Sequence, residues 1–203
     1  MLILGILGSP RRKGNTATLL DLSLEGAREE GMRTELLFVQ ELMEEQSFPF
    51  CKACSSPCSG RCYRGTSLEE AFRLMAQSDG IILASPVYFG TVSAQLKAFW
   101  DKTRRLREKK VLMNVVGGAL SVGGSRFGGQ ETTLKALFDM MLIQGMLLAG
   151  EGHISTDAGH HGACGHQPVS EDENARLKAF SLGRRIGQVA GATYSLRKDR
   201  ETF

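Results

Sequence analysis

The chain has 203 residues, 42% of them hydrophobic, and a formal net charge of +3 at pH 7. These values are ordinary for a single globular domain with one core. Basic and acidic residues are interspersed rather than blocked, so we expect no nucleic-acid partner. No apolar stretch approaches the ~18 residues that a membrane span needs. Because no basic leader precedes the first apolar run either, we expect no membrane partner and a cytoplasmic location.

Short apolar runs alternate with amphipathic segments along the chain, as in α/β proteins. The periodic apolar positions predict five helices, which contain Leu19, Leu68, Leu96, Leu137 and Leu177. The predicted strands are residues 2–7, 34–39, 81–84, 111–116 and 146–149. This order predicts an α/β fold with a doubly wound five-stranded parallel sheet, order 2-1-3-4-5, and helices on both faces. We expect one domain over residues 1–193, a cysteine-rich insert at about residues 50–66, and a loose polar tail over residues 194–203.

The segment Gly-Ser-Pro-Arg-Arg-Lys-Gly-Asn-Thr at residues 8–16 lies between the first strand and the first helix. The loop has hydroxyl, amide and cationic side chains, and the helix that follows offers free N–H groups and the positive end of its dipole. Together these groups could bind a phosphate monoester. The spacing matches neither the Walker lysine pattern nor G-x-G-x-x-G. From the residues alone, a solvated turn is an equally good interpretation. As a phosphate loop, the segment would use Ser9, Arg11, Asn15 and Thr16, with Arg11 supplying charge.

Two further turns follow predicted strands. Residues 85–90, Ser-Pro-Val-Tyr-Phe-Gly, follow the third strand, and the glycine-rich residues 117–129 follow the fourth. The carboxyl ends of parallel strands form the edge at which open α/β sheets bind ligands. Three polar or glycine-rich turns at this edge therefore predict a ligand site there.

The segments GSPRRKGNT, SPVYFGTVSAQLKAFWDKT and GGSRFGGQETTLKAL occur in this order along the chain. With these motifs the chain resembles the flavodoxin-like NAD(P)H-dependent FMN reductases, in particular their iron–sulfur flavoprotein branch. The resemblance extends from Met1 to about Ala192. It implies an FMN-dependent electron-transfer oxidoreductase, with the phosphate of FMN on the first loop and its ring between the second and third. NAD(P)H or ferredoxin is the implied donor, and a small molecule or a redox protein the implied acceptor.

We expect no separate catalytic side chain, because the flavin itself accepts the hydride and releases electrons. The alternatives are a cluster-free NAD(P)H-dependent FMN or quinone reductase and a non-enzymatic electron carrier. Glycines in the ring-framing loops permit close backbone approach. The expected FMN-binding residues are Ser9, Arg11, Gly14, Asn15, Thr16, Pro86, Val87, Tyr88, Phe89, Gly90, Gly123 and Gly124.

Four of the five cysteines fall within a dozen residues, at Cys51, Cys54, Cys58 and Cys62. A reducing compartment and an odd total argue against disulfides. The single compact run favours a [4Fe–4S] cluster over zinc, whose ligands usually form two separated pairs. Zinc and unliganded thiols remain alternatives. The iron–sulfur flavoproteins also carry a compact cysteine run here, although the gaps in this chain differ from their usual ones.

The four histidines indicate a metal site less strongly than the clustered cysteines do. His153, His160, His161 and His166 share a glycine-rich loop with Cys164. Without a helical H-x-x-x-H spacing, a structural role is favoured over a metal site. We expect this loop to fold over the flavin edge or onto a partner subunit. The family resemblance also implies a homodimer or homotetramer.

Overall fold

The computed structural model describes residues 1–200 of the chain. The strands are β1 (Leu2–Leu7), β2 (Arg33–Phe38), β3 (Gly80–Pro86), β4 (Val116–Gly123), β5 (Leu147–Leu148) and β6 (Ala163–His166). The helices are α1 (Asn15–Glu29), α2 (Val39–Glu44), α3 (Ser67–Gln77), α4 (Ala94–Asp101), α5 (Arg104–Glu108), α6 (Gln130–Leu142) and α7 (Glu173–Ala192). None of these helices combines the length and the apolar character needed to cross a membrane.

The strands form one parallel sheet in the order β2-β1-β3-β4-β5, which confirms the predicted fold class. The fifth position is shared by two short strands, because β5 pairs with Val116 and Gly117 while β6 pairs farther along β4. The sequence predicted only the first of these two strands. Residues 149–162 form the connection between them.

The fourth strand was predicted at residues 111–116 but lies at Val116–Gly123. Residues 111–115 are mostly buried, yet they form a turn in which Asn114 has a φ of +62°. Three of the glycines that suggested a loop, Gly117, Gly118 and Gly123, lie inside the strand. A Cβ added to Gly118 would lie 2.8 Å from Ile186 of α7, so this strand needs glycine where the helix packs against it.

Helices cover both faces of the sheet. One core combines β-strand side chains with Phe72 of α3, Phe99 of α4 and Leu137 of α6. The other lies under α1 and α7 and includes Leu20 and Ile186. The two helices α1 and α7 approach so closely that a Cβ added to Gly26 or Gly183 would meet backbone atoms of the opposite helix.

Gly183→Ala is expected to destabilise the protein, whereas Gly191→Ala on the same helix is not. A Cβ at Gly183 would lie 1.7 Å from the carbonyl oxygen of Ser23, while the nearest atom to a Cβ at Gly191 is a methionine methyl 3.7 Å away. Overpacking of this kind lowers the free energy of unfolding by about 1–3 kcal/mol. Urea denaturation of both variants measures the difference. An equal change in both would contradict the close packing of α1 on α7.

The polar tail is held to the body of the protein. The side chain of Arg197 is buried, and its Nε donates to Oδ1 of Asp79 at 3.1 Å. The Arg200 guanidinium donates to the carbonyls of Ala76 and Ser78. The expectation of a loose tail is therefore wrong for residues 194–200, because two arginines bind the end of α3 and the residues just before β3. Residues 201–203 lie outside the described part of the chain.

Candidate functional site

The loop after β1 starts from a fixed position at the carboxyl edge of the sheet. The N–H of Gly8 donates to the carbonyl of Ala84 at 2.8 Å, and Oγ of Ser93 donates to the carbonyl of Gly8 at 2.5 Å. A Cβ at Gly8 would lie 2.8 Å from Leu96 and 2.9 Å from the carbonyl oxygen of Ala84. These contacts hold the loop against β3 and the start of α4.

The first turn of α1 is open toward this loop. Its N-cap residue is Gly14, and no side chain caps the helix. The N–H groups of a helix's first turn have no intrahelical acceptor, so they are available to an anion. Ser9 and Thr16 are buried beside them. A phosphate group fits this arrangement of backbone donors and hydroxyls.

The polar side chains of this loop differ in whether they already have partners within the protein. Oδ1 of Asn15 accepts from the N–H of Val169 at 3.1 Å, which leaves its NH2 group as the available donor. Arg12 pairs with Glu41 and lies over the ring of Phe38. Among the described residues, Arg11 has no carboxylate partner. Arg11 is therefore free to bind a ligand, as is Lys13, which also has no carboxylate partner among the described residues.

The predicted ring-framing loops at the ends of β3 and β4 meet each other. Residues 88–91 form a tight turn in which Phe89 and Gly90 have φ values of +50° and +79°. Gly129 in the loop after β4 has a φ of +90°, and a Cβ there would lie 3.3 Å from the Cα of Gly90. Gly123 ends β4, and Gly124 begins its loop. The backbones of the two loops thus stand at the same edge as the loop after β1.

Gln130 holds the loop after β4 in place and was not identified from the sequence. Its Oε1 accepts from the N–H of Gly128 at 2.8 Å. Its Nε2 donates to the carbonyls of Ser125 at 2.6 Å and Gly165 at 3.1 Å. A Cβ at Gly123 would lie 2.6 Å from this Nε2, so glycine is required there. Only the tertiary contact between α6 and β6 reveals this role.

The four clustered cysteines border one cavity of about 300 Å³ between residues 47–62 and the end of α4. All are free thiols, so the disulfide alternative is not supported. Cys54 and Cys62 are exposed, while Cys51 and Cys58 are half-buried. Within residues 1–200, no three His, Cys, Asp or Glu side chains stand close enough together to hold a metal ion. The four cysteines thus border one cavity, but their side chains are not close enough together to form a metal site.

The same cavity is lined by basic side chains. Lys52, Arg61, Lys102 and Arg104 border it, and its lining contains no carboxylate. Burial raises the pKa of the Cys62 thiol, and the Lys102 ammonium opposes that shift. Thiols surrounded by cations fit a centre whose ligands are thiolates, because such a centre carries net negative charge.

Two of the four histidines, His153 and His166, have close protein partners. Nδ1 of His153 lies 2.7 Å from Oγ of Ser155, and its Nε2 lies 3.0 Å from the Gln188 amide. Nδ1 of His166 lies 2.7 Å from Asp172, which caps α7. These partners support the structural role that the sequence favoured.

Cys164 is expected to resist alkylation in the metal-free protein, whereas Cys54 reacts readily. Burial raises the pKa of the Cys164 thiol to about 11. At pH 8 its thiolate fraction is then about 200-fold below that of an ordinary thiol of pKa about 8.5. Iodoacetamide labelling followed by peptide mass spectrometry measures both rates, and the Cys164 rate should rise steeply between pH 9 and 11. Equal labelling of the two cysteines at pH 8 would contradict the burial of Cys164.

The sequence matches the family described as NADPH-dependent FMN reductase over residues 1–161. It is 39% identical over 193 residues to an iron-sulfur flavoprotein of Methanocaldococcus jannaschii, covering 93% of this chain and 97% of the relative. It is 42% identical over 175 residues to an iron-sulfur flavoprotein of Methanosarcina thermophila, covering 85% and 86%. The fold matches the crystal structure of a flavodoxin, WrbA-like protein from Agrobacterium tumefaciens, with a TM-score of 0.64, 18% identity, and coverage of 94% and 97%.

Proposed function

Because this chain belongs to the NADPH-dependent FMN reductase family and is a flavin-dependent oxidoreductase, we propose that it also carries a [4Fe–4S] cluster. In this proposal it passes electrons from a reduced donor, NAD(P)H or ferredoxin, to a small acceptor. The observation that carries the proposal is the cavity bordered by Cys51, Cys54, Cys58 and Cys62 and by basic side chains. The relatives named iron-sulfur flavoprotein support it.

FMN is assigned to the carboxyl edge of the sheet. The open first turn of α1 and the buried hydroxyls of Ser9 and Thr16 would receive its phosphate, with Arg11 adding charge and Asn15 an amide donor. The loops at residues 86–90 and 123–124 would frame its ring. When bound, the flavin supplies hydride acceptance and the release of single electrons.

Helix α4 lies between the two sites. At its start, Ser93 donates to the carbonyl of Gly8 in the phosphate loop. At its end, Lys102 borders the cysteine cavity. A helix of eight residues is about 12 Å long, so the two sites are separated by roughly that length along the helix.

The identity of the donor tests the proposed function. Under anaerobic conditions the holoprotein is mixed with NADPH, NADH or reduced ferredoxin, and bleaching of the flavin bands is followed. Rapid turnover with a nicotinamide supports a reductase, with or without a cluster. Fast reduction by ferredoxin together with sluggish reduction by both nicotinamides supports an electron carrier. If none of these donors reduces the flavin, the proposed function is wrong.

We further propose that the protein is a homodimer or homotetramer. Phe89 and Phe127, one in each ring-framing loop, are almost fully exposed. Large apolar side chains exposed together commonly mark an interface. Light scattering of the FMN-bound protein at micromolar concentration is expected to give two or four chains. A monomer under these conditions contradicts this proposal and leaves the redox function untouched.

A further inference from the structure

Lys102 is a buried cation without a carboxylate partner. It is the C-cap residue of α4, and only 3% of its surface is exposed. The neighbouring carboxylates are engaged elsewhere, since Asp101 pairs with Lys97 and Glu108 with Arg104. In the part of the chain that the structure describes, no carboxylate lies within ion-pair distance of the Lys102 ammonium. The protein therefore places no carboxylate counter-charge beside Lys102.

Lys102 is packed into the wall of the cavity without a carboxylate partner, so an anion bound in the cavity would be its nearest counter-charge. The carboxyl end of α4 contributes only a partial negative charge, equivalent to about half an electron. Lys102 instead borders the cavity of the four cysteines, together with three further basic residues and no carboxylate. The proposed centre held by the four cysteine thiolates would supply an anion in this cavity.

We propose that Lys102 is the built-in counter-charge of the cysteine-bound centre and sets how readily that centre accepts an electron. The inference rests on the proposed cluster. Lys102 lies forty positions after Cys62 in the sequence, outside the cysteine run. Reduction adds one negative charge to the cluster, and a nearby cation favours the more negative state. Net charge around an iron–sulfur cluster is one of the factors that set its reduction potential. Lys102 therefore acts on the cluster through its charge and is not a ligand.

Lys102→Met tests this role, because it keeps the length of the side chain and removes the charge. The matched variants are Lys102→Arg, which keeps the charge, and Lys97→Met, which removes an exposed cation from the same helix. Each protein is reconstituted anaerobically, and iron, sulfide, FMN and thermal stability are measured. The cluster is then titrated with dithionite and mediators while its reduction is followed by EPR.

At a fixed potential, the reduced-to-oxidised ratio of the Lys102→Met cluster is expected to fall about tenfold, a midpoint about 59 mV lower for a one-electron couple. Lys102→Arg and Lys97→Met should stay close to the parent. Loss of iron from Lys102→Met alone, with FMN retained, also supports the counter-charge. An unchanged or higher midpoint in Lys102→Met overturns the inference, as does loss of iron from both Lys102 variants. A parent protein that binds no iron overturns the cluster itself, and metal analysis of the parent identifies that case.

Discussion

Replacing Cys54 with alanine is expected to abolish iron binding while one FMN remains bound per chain. Cys54 borders only the cysteine cavity, whereas the phosphate loop is held by Gly8, Ala84 and Ser93. Iron should fall from about four atoms per chain to nearly none, because a cubane cluster needs its thiolate ligands. Colorimetric iron analysis and the visible spectrum after anaerobic reconstitution measure both cofactors.

Cys164→Ala is the matched control for the cysteine prediction. Cys164 lies on β6, away from the cysteine cavity, and it is half-buried. Its replacement should leave the iron content unchanged. Full iron content in the Cys54→Ala protein would mean that Cys54 is not a ligand. Loss of FMN together with iron would mean that the two sites are not independent.

Arg11→Ala is expected to weaken FMN binding about 10- to 100-fold, whereas Arg12→Ala is not. Arg11 has no carboxylate partner among the described residues, while Arg12 is engaged by Glu41 and Phe38. A hydrogen bond to a charged group contributes about 1.5–3 kcal/mol, and each 1.4 kcal/mol is tenfold in Kd. Fluorescence titration of apoprotein with FMN measures the change. The reverse order of effects would show that Arg12 is the phosphate ligand.

Riboflavin, which lacks the phosphate, supplies the control for this titration. If Arg11 binds the phosphate, Arg11→Ala should leave riboflavin affinity unchanged. An equal loss of affinity for both flavins would show that Arg11 contacts the ring and not the phosphate.

Local patterns were enough to predict the first three strands and the position of the loop after β1. Residues 2–7 form a continuous apolar run, and the whole run becomes β1. The turns at residues 8–16 and 85–90 follow from the ends of their strands, so the sequence also placed them at the carboxyl edge of the sheet. These features depend on neighbours in the chain, which single-sequence reasoning can evaluate.

Features that depend on tertiary contacts were missed. β6 consists of Ala, Cys, Gly and His, and it shows no apolar run because Gly165 lies close against Leu19. Gly118 suggested a loop because the proximity of α7 is invisible in the sequence. The capping residue of the last helix was not predicted either: Asp172 caps α7 by accepting from the N–H of Ala175 at 3.1 Å.

The residues of the candidate site were likewise only partly predictable from the sequence. The sequence identified the four clustered cysteines, but their cavity is completed by Lys102 from a distant helix. It also identified Asn15, but the contact of Asn15 with Val169 appears only once α1 and the start of α7 are brought together. Side chains that complete a site from another element carry no local signal, so they require the fold.

Native mass spectrometry of the anaerobically reconstituted protein tests the central claim most directly. Each chain is expected to carry the mass of one FMN and of four irons with four sulfides. The same spectrum reports the number of chains in the assembly. A chain that carries FMN with zinc, or FMN with no metal, would contradict the iron–sulfur centre and leave a plain flavin reductase.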